Sequence, residues 1–385
     1  MSKILFLSHD SNLQGAERCL LDLVTYLDRS RFEPLVILPW PGPLQEKLEQ
    51  AEIPYLIRYI LKPWIGFNAR TKQWRWPLFC LKDLKSRLWA LLTLIEREQI
   101  DLVYTNTSTV IEGALAAKRA GIPHLWHIHE HLRGNPDLRL FLPPTWTDRL
   151  TLTLADRIIT PSQALAESRF PGSPKVRVVP NGVDLASLQT GNDHRVRTEL
   201  GIPAEAAVIT FIGAISPCKD PLTFIRAAAR IRQTFPEVWF LMAGAVADPT
   251  LESQVKSLAD NPELRSHLRI LGYRNDAADI LAAATVHVST STKESFGLTL
   301  TEAMACGKPV VATHCGGPEE IVVDGKTGFV VPPGDPEAVA SAVIKLLENP
   351  KLAEAFGKAG QKRAQQKYSV EAYASGIETV LEEGL

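Results

Sequence analysis

Short apolar runs rich in Val, Ile and Leu alternate along the chain with segments in which apolar residues recur every three or four positions. An apolar run of this length predicts a buried strand, and the longer period predicts an amphipathic helix. In the first half, strands are predicted near residues 3–8, 34–38, 101–105, 123–129, 157–160 and 176–179, and helices near 15–28, 43–51, 82–98, 109–120 and 162–169. This alternation predicts parallel strands joined by crossover helices.

A second series of the same kind starts near residue 206, after a polar stretch that follows VVPNGVD at residues 178–184. Its strands are predicted near residues 206–213, 238–243, 268–272, 285–289 and 309–312, and its helices near 220–234, 250–259, 298–306, 336–347, 351–366 and 370–383. Continuous apolar strands such as VWFLMAG indicate burial on both sheet faces. We therefore predict an α/β protein with two doubly wound parallel sheets, which suits a length of 385 residues.

Composition and charge exclude several classes of protein. With 45% hydrophobic and 22% charged residues the chain is neither disordered nor collagen-like. Lys+Arg 42 against Asp+Glu 43 leaves no overall field that would draw it to nucleic acid. The first apolar run is too short for a signal peptide, and no run approaches the length of a membrane span. Five cysteines without a C-x-x-C pair fit a reducing cytoplasm, so we expect a cytoplasmic protein, at most peripheral to the inner face of a membrane.

One segment, residues 58–89, departs from this even balance. It has eight basic residues against one acid, and four of the eight tryptophans: Arg58, Lys62, Arg70, Lys72, Arg75, Lys82, Lys85 and Arg87, with Trp64, Trp74, Trp76 and Trp89. Such a mixture is typical of a patch that docks on an anionic membrane surface. Packing of a long loop and an amphipathic helix explains the same pattern, and both interpretations stay open. Nucleic acid is disfavoured as a partner because no RNA-binding motif accompanies the patch.

The strongest candidate for chemistry is the segment at residues 293–321, which follows a predicted strand. Glu294 and Gly297 fall at the carboxyl end of that strand, and the next helix should start near Leu298. The first N–H groups of a helix favour an anion, and a glycine there lets a phosphate approach closely. Glu302, near the start of the helix, could accept hydrogen bonds from the two hydroxyls of a ribose. The alternative is a capped helix whose acids only favour its N-terminus.

This segment resembles the donor-site signature of family 4 glycosyltransferases. The resemblance rests on E-x7-E with the filling S-F-G-L, and on the EAMACGKPVVAT and GG that follow. Further matches occur in the family's order over nearly the whole chain: N-L-Q-G-A-E at residues 12–17, P-N-G-V-D at 180–184, F-I-G-x5-K at 211–219, L-G-Y-R at 271–274, and the final YSVEAYASGIETVLEEGL.

The resemblance implies the GT-B fold, in which two Rossmann-like domains face a central cleft. Residues 1–183 would form the acceptor-side domain, on which a C-terminal helix at about 370–385 packs back. Residues 184–369 would bind a nucleotide diphosphate sugar, linked to UDP or GDP. The enzyme would move a hexose, with retention of configuration, to a glycan or lipid-linked acceptor in polysaccharide or cell-envelope glycoconjugate synthesis.

The resemblance also assigns roles to residues. The catalytic residues would be His129, Lys219 and Glu294. The donor would be bound by Gly15, Lys219, Arg274, Glu294, Ser295, Phe296, Gly297, Leu298 and Glu302. Because the chain contains no D-x-D motif, we expect transfer without a metal and without a resident cofactor.

Two features are less easily assigned. The family commonly has a basic residue after the glycine of the Gly213 loop, where this chain has Ala214; Arg274 or Lys293 would have to compensate. Four histidines in HLWHIHEHLRG (His124, His127, His129 and His131) could hold a metal, but structural roles for most of them are the alternative.

Two other functions remain compatible with the sequence. A GT-B epimerase would keep the nucleotide site without an acceptor, and a catalytically silent binding or scaffold protein would account for Ala214. A nicotinamide-dependent oxidoreductase is disfavoured, because no G-x-G-x-x-G follows the first strand of either half.

Overall fold

The structure, a computed structural model, describes residues 1–67, 76–140 and 142–385. The chain divides into two compact units. Unit 1 consists of Met1–Gly182 and Val370–Leu385, and unit 2 is Val183–Ser369.

Unit 1 is built on a seven-stranded parallel sheet in the order β3-β2-β1-β5-β6-β8-β9. Its strands are β1 (Ser2–Ser8), β2 (Phe32–Leu38), β3 (Tyr55–Ile57), β5 (Leu102–Asn106), β6 (His124–His127), β8 (Arg157–Thr160) and β9 (Val176–Val178), and a separate antiparallel pair is formed by β4 (Ile65–Phe67) and β7 (Leu138–Leu140). The helices before the boundary are α1 (Gly15–Tyr26), α2 (Pro43–Gln50), α3 (Trp76–Leu81), α4 (Leu84–Arg97), α5 (Glu112–Ala120), α6 (Pro144–Leu154) and α7 (Gln163–Arg169).

Unit 2 repeats this architecture with a six-stranded parallel sheet in the order β12-β11-β10-β13-β14-β15. Its strands are β10 (Val208–Ile212), β11 (Trp239–Ala243), β12 (Leu268–Gly272), β13 (Val286–Ser289), β14 (Val310–Thr313) and β15 (Gly328–Val331). Its helices are α8 (Leu185–Gln189), α9 (Asp193–Leu200), α10 (Pro221–Thr234), α11 (Pro249–Ala259), α12 (Ala277–Ala283), α13 (Leu298–Ala305), α14 (Pro318–Ile321), α15 (Pro336–Glu348) and α16 (Pro350–Lys367).

The central strands are buried on both faces, as their continuous apolar sequences predict. Ile4, Leu5, Phe6 and Leu7 of β1 are all fully buried although consecutive side chains point to opposite faces. The prediction of two doubly wound α/β sheets is therefore confirmed.

The last helix, α17 (Val370–Gly384), belongs to unit 1 and packs against α1. The Tyr373 hydroxyl donates to the Cys19 carbonyl at 3.2 Å. Glu378 accepts from the Asp28 N–H at 2.7 Å and pairs with Arg31. The helix thus joins unit 1 through buried side chains and through specific polar contacts.

Some sequence predictions need correction. The strand predicted near 123–129 ends at His127, so His129 lies in the following loop. The polar stretch after the boundary contains α9, which has one buried residue, Val196, and therefore too little apolar pattern to be recognised. Among the helices of the described part of the chain, none combines the length and apolar character needed to cross a bilayer.

Strand order reverses once in each sheet. In unit 1 the reversal lies between β1 and β5, and in unit 2 it lies between β10 and β13. In open α/β sheets ligands bind outside the carboxyl ends of the strands at such a switch point.

Candidate active site

In unit 2, two loops meet at the switch point. One follows β10 and contains Lys219, and the other follows β13 and contains Glu294. Hydrogen bonds join them: the Thr290 hydroxyl donates to the Asp220 carbonyl at 2.8 Å, and the Thr292 N–H donates to the Cys218 carbonyl at 2.8 Å. The sheet topology and these bonds bring together two residues that are far apart in sequence.

Lys219 and Glu294 form an ion pair between these loops. The side chains are partly accessible, with 33% of the lysine and 16% of the glutamate exposed. Burial alone would lower the pKa of Lys219, but the adjacent carboxylate raises it above its usual value. The ammonium group is therefore charged at neutral pH and is available at the end of the sheet where a ligand is expected.

Gly297 ends the second loop and precedes α13. Its φ of 116° is unfavourable for residues with a side chain, so a glycine is needed where the chain turns into the helix. The helix begins at Leu298, as predicted from the sequence. Its N-terminus and dipole thus lie a few residues from the Lys219–Glu294 pair.

A third loop, which joins β14 to α14, supports the loop that contains Glu294. The Gly317 N–H donates to the Glu294 carbonyl at 2.9 Å, and a Cβ on Gly317 would lie 2.4 Å from the Phe296 Cα. The side chain of Phe296 packs in the core with its ring 5.7 Å from that of Tyr368. Phe296 thus supports the loop through core packing, and Ser295, beside it, is partly accessible.

Glu319 is a supporting residue that sequence reasoning missed. Its carboxylate accepts from the N–H groups of Cys315 and Gly316 at 3.0 and 2.8 Å, and it pairs with His314. The third loop is therefore closed by a carboxylate that the helix α14 supplies. An acid three residues after a glycine was the available signal, since such an acid can reach back to free N–H groups.

Two residues that were predicted to bind the donor are buried or already paired in the structure. Glu302 is fully buried in the second turn of α13. Arg274, after β12, forms ion pairs with Glu199 and Asp276 at 2.5 and 2.6 Å. These two carboxylates raise the pKa of Arg274 further above its already high value. The structure thus brings Lys219, Glu294 and Gly297 into one set of loops and gives Arg274 two partners of its own.

Unit 1 gathers a different set of residues at its switch point. Gly15 is the first residue of α1, directly after the loop that follows β1. Asn106 ends β5, and its Oδ1 lies 3.0 Å from Nε2 of His129, while its Nδ2 donates to the Ala16 carbonyl at 2.9 Å. One amide therefore connects His129 to the first turn of α1.

A histidine–carboxylate pair lies in the same region and was missed by sequence reasoning. His9 Nδ1 is 3.0 Å from Oε1 of Glu17, which is 1% exposed. Burial alone would lower the pKa of His9, but the Glu17, Glu130 and Asp10 carboxylates together raise it. The pair was hidden because eight residues separate a loop position from a helix position, and only the fold joins them.

Three of the four histidines near β6 bond to separate partners. His124 bonds to Thr105 at 2.8 Å, His127 to the Tyr104 hydroxyl at 2.7 Å, and His129 to Asn106. His131 is also buried. Over the described ranges, no three His, Cys, Asp or Glu residues are grouped as metal ligands would be.

The basic aromatic segment divides into a packed part and an exposed part. Trp64 is buried in the core of unit 1 and donates to the Ser108 carbonyl at 2.8 Å, and Arg87 is buried in an ion pair with Glu112. In contrast, Trp89 is 68% exposed on α4. Arg70, Lys72, Trp74 and Arg75 lie outside the described residues, and nothing is described of the Trp76 side chain.

Two family models cover most of the chain. Residues 13–187 match the model described as Glycosyltransferase Family 4, and residues 192–363 match Glycosyl transferases group 1. The boundary between the two matches falls near the boundary between the two units.

Individual relatives agree with these matches. The chain is 35% identical to D-inositol 3-phosphate glycosyltransferase 2 of Catenulispora acidiphila over 64% of its own length and 62% of that protein, so it matches less than two thirds of this relative. It is 31% identical to alpha-maltose-1-phosphate synthase of Mycolicibacterium smegmatis over 71% of the chain and 76% of the relative. It is 27% identical to UDP-Gal:alpha-D-GlcNAc-diphosphoundecaprenol alpha-1,3-galactosyltransferase of Escherichia coli over 88% and 86%.

Among solved structures, HepE of Anabaena in complex with UDP and glucose matches all of this chain and all of its own, with a TM-score of 0.83 and 27% identity. Two doubly wound sheets with this likeness define a glycosyltransferase of the GT-B fold. The chain belongs to family 4 of the glycosyltransferases, as the resemblance of its E-x7-E segment implied.

Proposed function

We propose that this glycosyltransferase moves a hexose from a nucleoside diphosphate sugar to a glycan or lipid-linked acceptor, with retention of configuration and without a metal. The observation that carries the proposal is the Lys219–Glu294 pair at the switch point of unit 2, next to the start of α13. In this arrangement a cation and a helix N-terminus can face a diphosphate, and a carboxylate can accept hydrogen bonds from sugar hydroxyls.

The ammonium group of Lys219 suits the main chemical difficulty of the reaction. When the glycosidic bond breaks, negative charge grows on the leaving diphosphate, and a donor already in place stabilises that charge. Lys219 and the first N–H groups of α13 would supply this stabilisation. Glu294 would release the ammonium group when the diphosphate arrives and would bind hydroxyls of the donor sugar.

The donor and the acceptor are proposed from the relatives. HepE has been solved in complex with UDP-glucose, which favours a UDP-hexose here. The Escherichia coli relative is named for a diphosphoundecaprenol-linked acceptor, which favours a lipid-linked acceptor and a place in polysaccharide or cell-envelope synthesis.

An exposed surface of unit 1 would bring the enzyme to the membrane that contains such an acceptor. We define the α4 surface as five of the exposed residues around the start of α4: Phe79, Leu81, Lys82, Lys85 and Trp89. Aromatic and aliphatic side chains settle at the headgroup level of a bilayer, and lysines attract anionic lipid. We propose that this surface binds peripherally to an anionic membrane, which would place the enzyme at the inner face.

Vesicle sedimentation tests the membrane contact. More protein should sediment with phosphatidylglycerol vesicles than with phosphatidylcholine vesicles. Lys82→Gln and Lys85→Gln should each weaken binding about fivefold, since a lysine at such a surface contributes about 1 kcal/mol. Trp89→Ala should weaken it too, whereas Trp146→Ala, an exposed tryptophan elsewhere in unit 1, should not. Equal binding to both vesicles, or equal effects of the two tryptophans, would contradict the proposal.

Nucleotide release tests the reaction itself. The enzyme is offered UDP- and GDP-hexoses, with and without a polyprenyl-linked or glycan acceptor and with and without chelator. We expect acceptor-dependent release of UDP that chelator does not reduce, and an NMR signal for an α-linked product. Conversion of the donor sugar without acceptor would favour an epimerase, and binding without turnover would favour a silent binding protein. Loss of activity in chelator would disprove metal-free transfer.

A further inference from the structure

The side chain of Asn106 has only one possible orientation. Asn106 is fully buried at the end of β5, and its amide lies between the Ala16 carbonyl at 2.9 Å and the His129 ring at 3.0 Å. A carbonyl oxygen can only accept a hydrogen bond, so the NH2 group of Asn106 has to face Ala16. The amide oxygen Oδ1 must then face His129.

This orientation determines which nitrogen of His129 carries a proton. The amide oxygen of Asn106 has no hydrogen to give, so the 3.0 Å contact is a hydrogen bond only when Nε2 of His129 donates. In a neutral imidazole the other nitrogen, Nδ1, then has a free lone pair. The first turn of α1 therefore sets the tautomer of His129 through one buried amide.

Burial favours the neutral form of His129. Burial lowers the pKa of His129, and the Glu130 and Glu17 carboxylates oppose this effect. The positive charge of His9 adds to the lowering. A neutral ring with its proton on Nε2 is the result near neutral pH.

The ring is also held in place. The backbone N–H of His129 donates to Glu130 Oε2 at 3.3 Å, and the ring contacts that of His127 at an interplanar angle of 42°, with centroids 4.0 Å apart. Within the described parts of the chain no hydrogen bond to Nδ1 is found, and the residue is only partly buried. His129 thus presents an acceptor nitrogen in a fixed direction.

We propose that Asn106 is a positioning residue that holds His129 as the Nε2–H tautomer, so that Nδ1 accepts a hydrogen bond from a sugar hydroxyl of the substrate. This rests on the proposed function, in which His129 lies near the reacting sugar. A hydroxyl donor matches a neutral imidazole acceptor, whereas a phosphate oxygen, which has no proton to give at neutral pH, does not.

Nitrogen NMR tests the tautomer without any measurement of activity. The histidines of the full chain are labelled with 15N, and the His129 signals are identified by their loss in His129→Gln. At pH 7.5 we expect a protonated Nε2 and an unprotonated Nδ1. A proton on Nδ1, or on both nitrogens, would overturn the inference even if the enzyme transfers sugar. If His129→Gln keeps full activity, the role of His129 in the proposed function fails while the tautomer is still tested.

Two substitutions of Asn106 separate positioning from general stability. Asn106→Ala removes the acceptor and should lower kcat about three- to tenfold, the effect of one neutral hydrogen bond, and give mixed tautomers. Asn106→Asp keeps an acceptor for Nε2 of His129 but has no donor for the Ala16 carbonyl, so it should restore the Nε2–H form without the hydrogen bond to α1. Its negative charge should raise the pKa of His129 and move the acid limb of the kcat/KM profile upward by about one pH unit.

The matched control is Thr105→Val, which removes a buried hydrogen bond between the neighbouring strand residue Thr105 and His124. It should leave the His129 signals and the acid limb unchanged. Equal loss of activity in Asn106→Ala and Asn106→Asp, without a shift of the acid limb and without a change of tautomer, would show a merely structural role and overturn the proposal.

Discussion

The point where strand order reverses is surrounded by different residues in the two units. In unit 2 an ammonium group and a carboxylate meet, and both are partly accessible. In unit 1 the equivalent place has a histidine paired with a buried carboxylate, and an amide that binds a second histidine. Topology thus determines where polar groups gather, whereas side-chain type and burial determine what they can bind. A partly accessible ammonium group suits a diphosphate, and the fixed neutral groups Asn106 and His129 suit hydroxyls.

The largest expected effect comes from removing the charge in unit 2. Lys219→Met should lower the rate of transfer about 10²- to 10³-fold, because the growing charge of the leaving group loses a donor. The free energy of unfolding should change by less than about 1 kcal/mol, since the ion pair is partly exposed. Initial rates of nucleotide release and urea unfolding measure the two quantities.

Lys326→Met is the control, because Lys326 is an exposed lysine of the same unit. It should change neither quantity. If Lys219→Met destabilises the protein strongly and keeps its activity, the switch point of unit 2 is structural, and the contrast between the units disappears.

Acid should affect one equivalent histidine in each unit, because each unit has a buried histidine bonded to a threonine on the neighbouring strand. His124 bonds to Thr105 in unit 1, and His287 bonds to Thr210 in unit 2. Burial lowers the pKa of each histidine to about 3. The stability that each contributes is therefore complete above its unfolded-state pKa of about 6.5 and is lost as the pH falls toward 3, by about 1.4 kcal/mol per pH unit for each histidine.

Urea unfolding at several pH values between 7.5 and 4.5 measures this slope. His124→Gln and His287→Gln should each flatten it by a similar amount, and the exposed His194→Gln should not. A large effect in only one unit would mean that the two sheets differ beyond their switch points.

Local pattern was enough to predict most of the fold and part of the site. The apolar runs identified the central strands, and a glycine after a strand placed the start of α13 at Leu298. These features depend on residues within a few positions of one another. The helix α9 was not predicted because it has a single buried residue, Val196, and therefore no apolar pattern.

Contacts between distant segments could not be predicted. Asn106 meets His129 and Ala16 because β5 lies between β1 and β6, an order that one sequence does not reveal. Arg274 was expected near the donor, but its partner Glu199 is 75 positions away. Lys219 and Glu294 are equally far apart in sequence; family resemblance placed both at the donor site but did not predict their ion pair.

A smaller effect, on the free energy of unfolding, should distinguish the carboxylate of Glu17 in unit 1 from that of Glu294 in unit 2. Because the pKa of His9 is raised, the stability from its pair with Glu17 is complete below about pH 6.5 and is lost as the pH rises through the folded-state value. Glu17→Gln should therefore cost about 1–2 kcal/mol at pH 6 and less at pH 9, as expected for a hydrogen bond to a charged group. Glu294→Gln, at the accessible pair, should cost less at pH 6. Equal costs would contradict the difference in burial.

The smallest effects concern two glycines with positive φ. Gly297 has a φ of 116° in unit 2, and Gly121 has a φ of 71° at the end of α5 in unit 1. Alanine at either position should cost about 1 kcal/mol of unfolding free energy, because a Cβ is disfavoured in this region. A Cβ would meet no atom within 4 Å at Gly121 but would lie 3.1 Å from Leu300 Cδ1 at Gly297. Calorimetry with UDP should therefore find weaker binding in Gly297→Ala alone, because only this substitution disturbs the turn into α13. Weaker binding in Gly121→Ala as well would mean that nucleotide affinity follows general stability and not the geometry of unit 2.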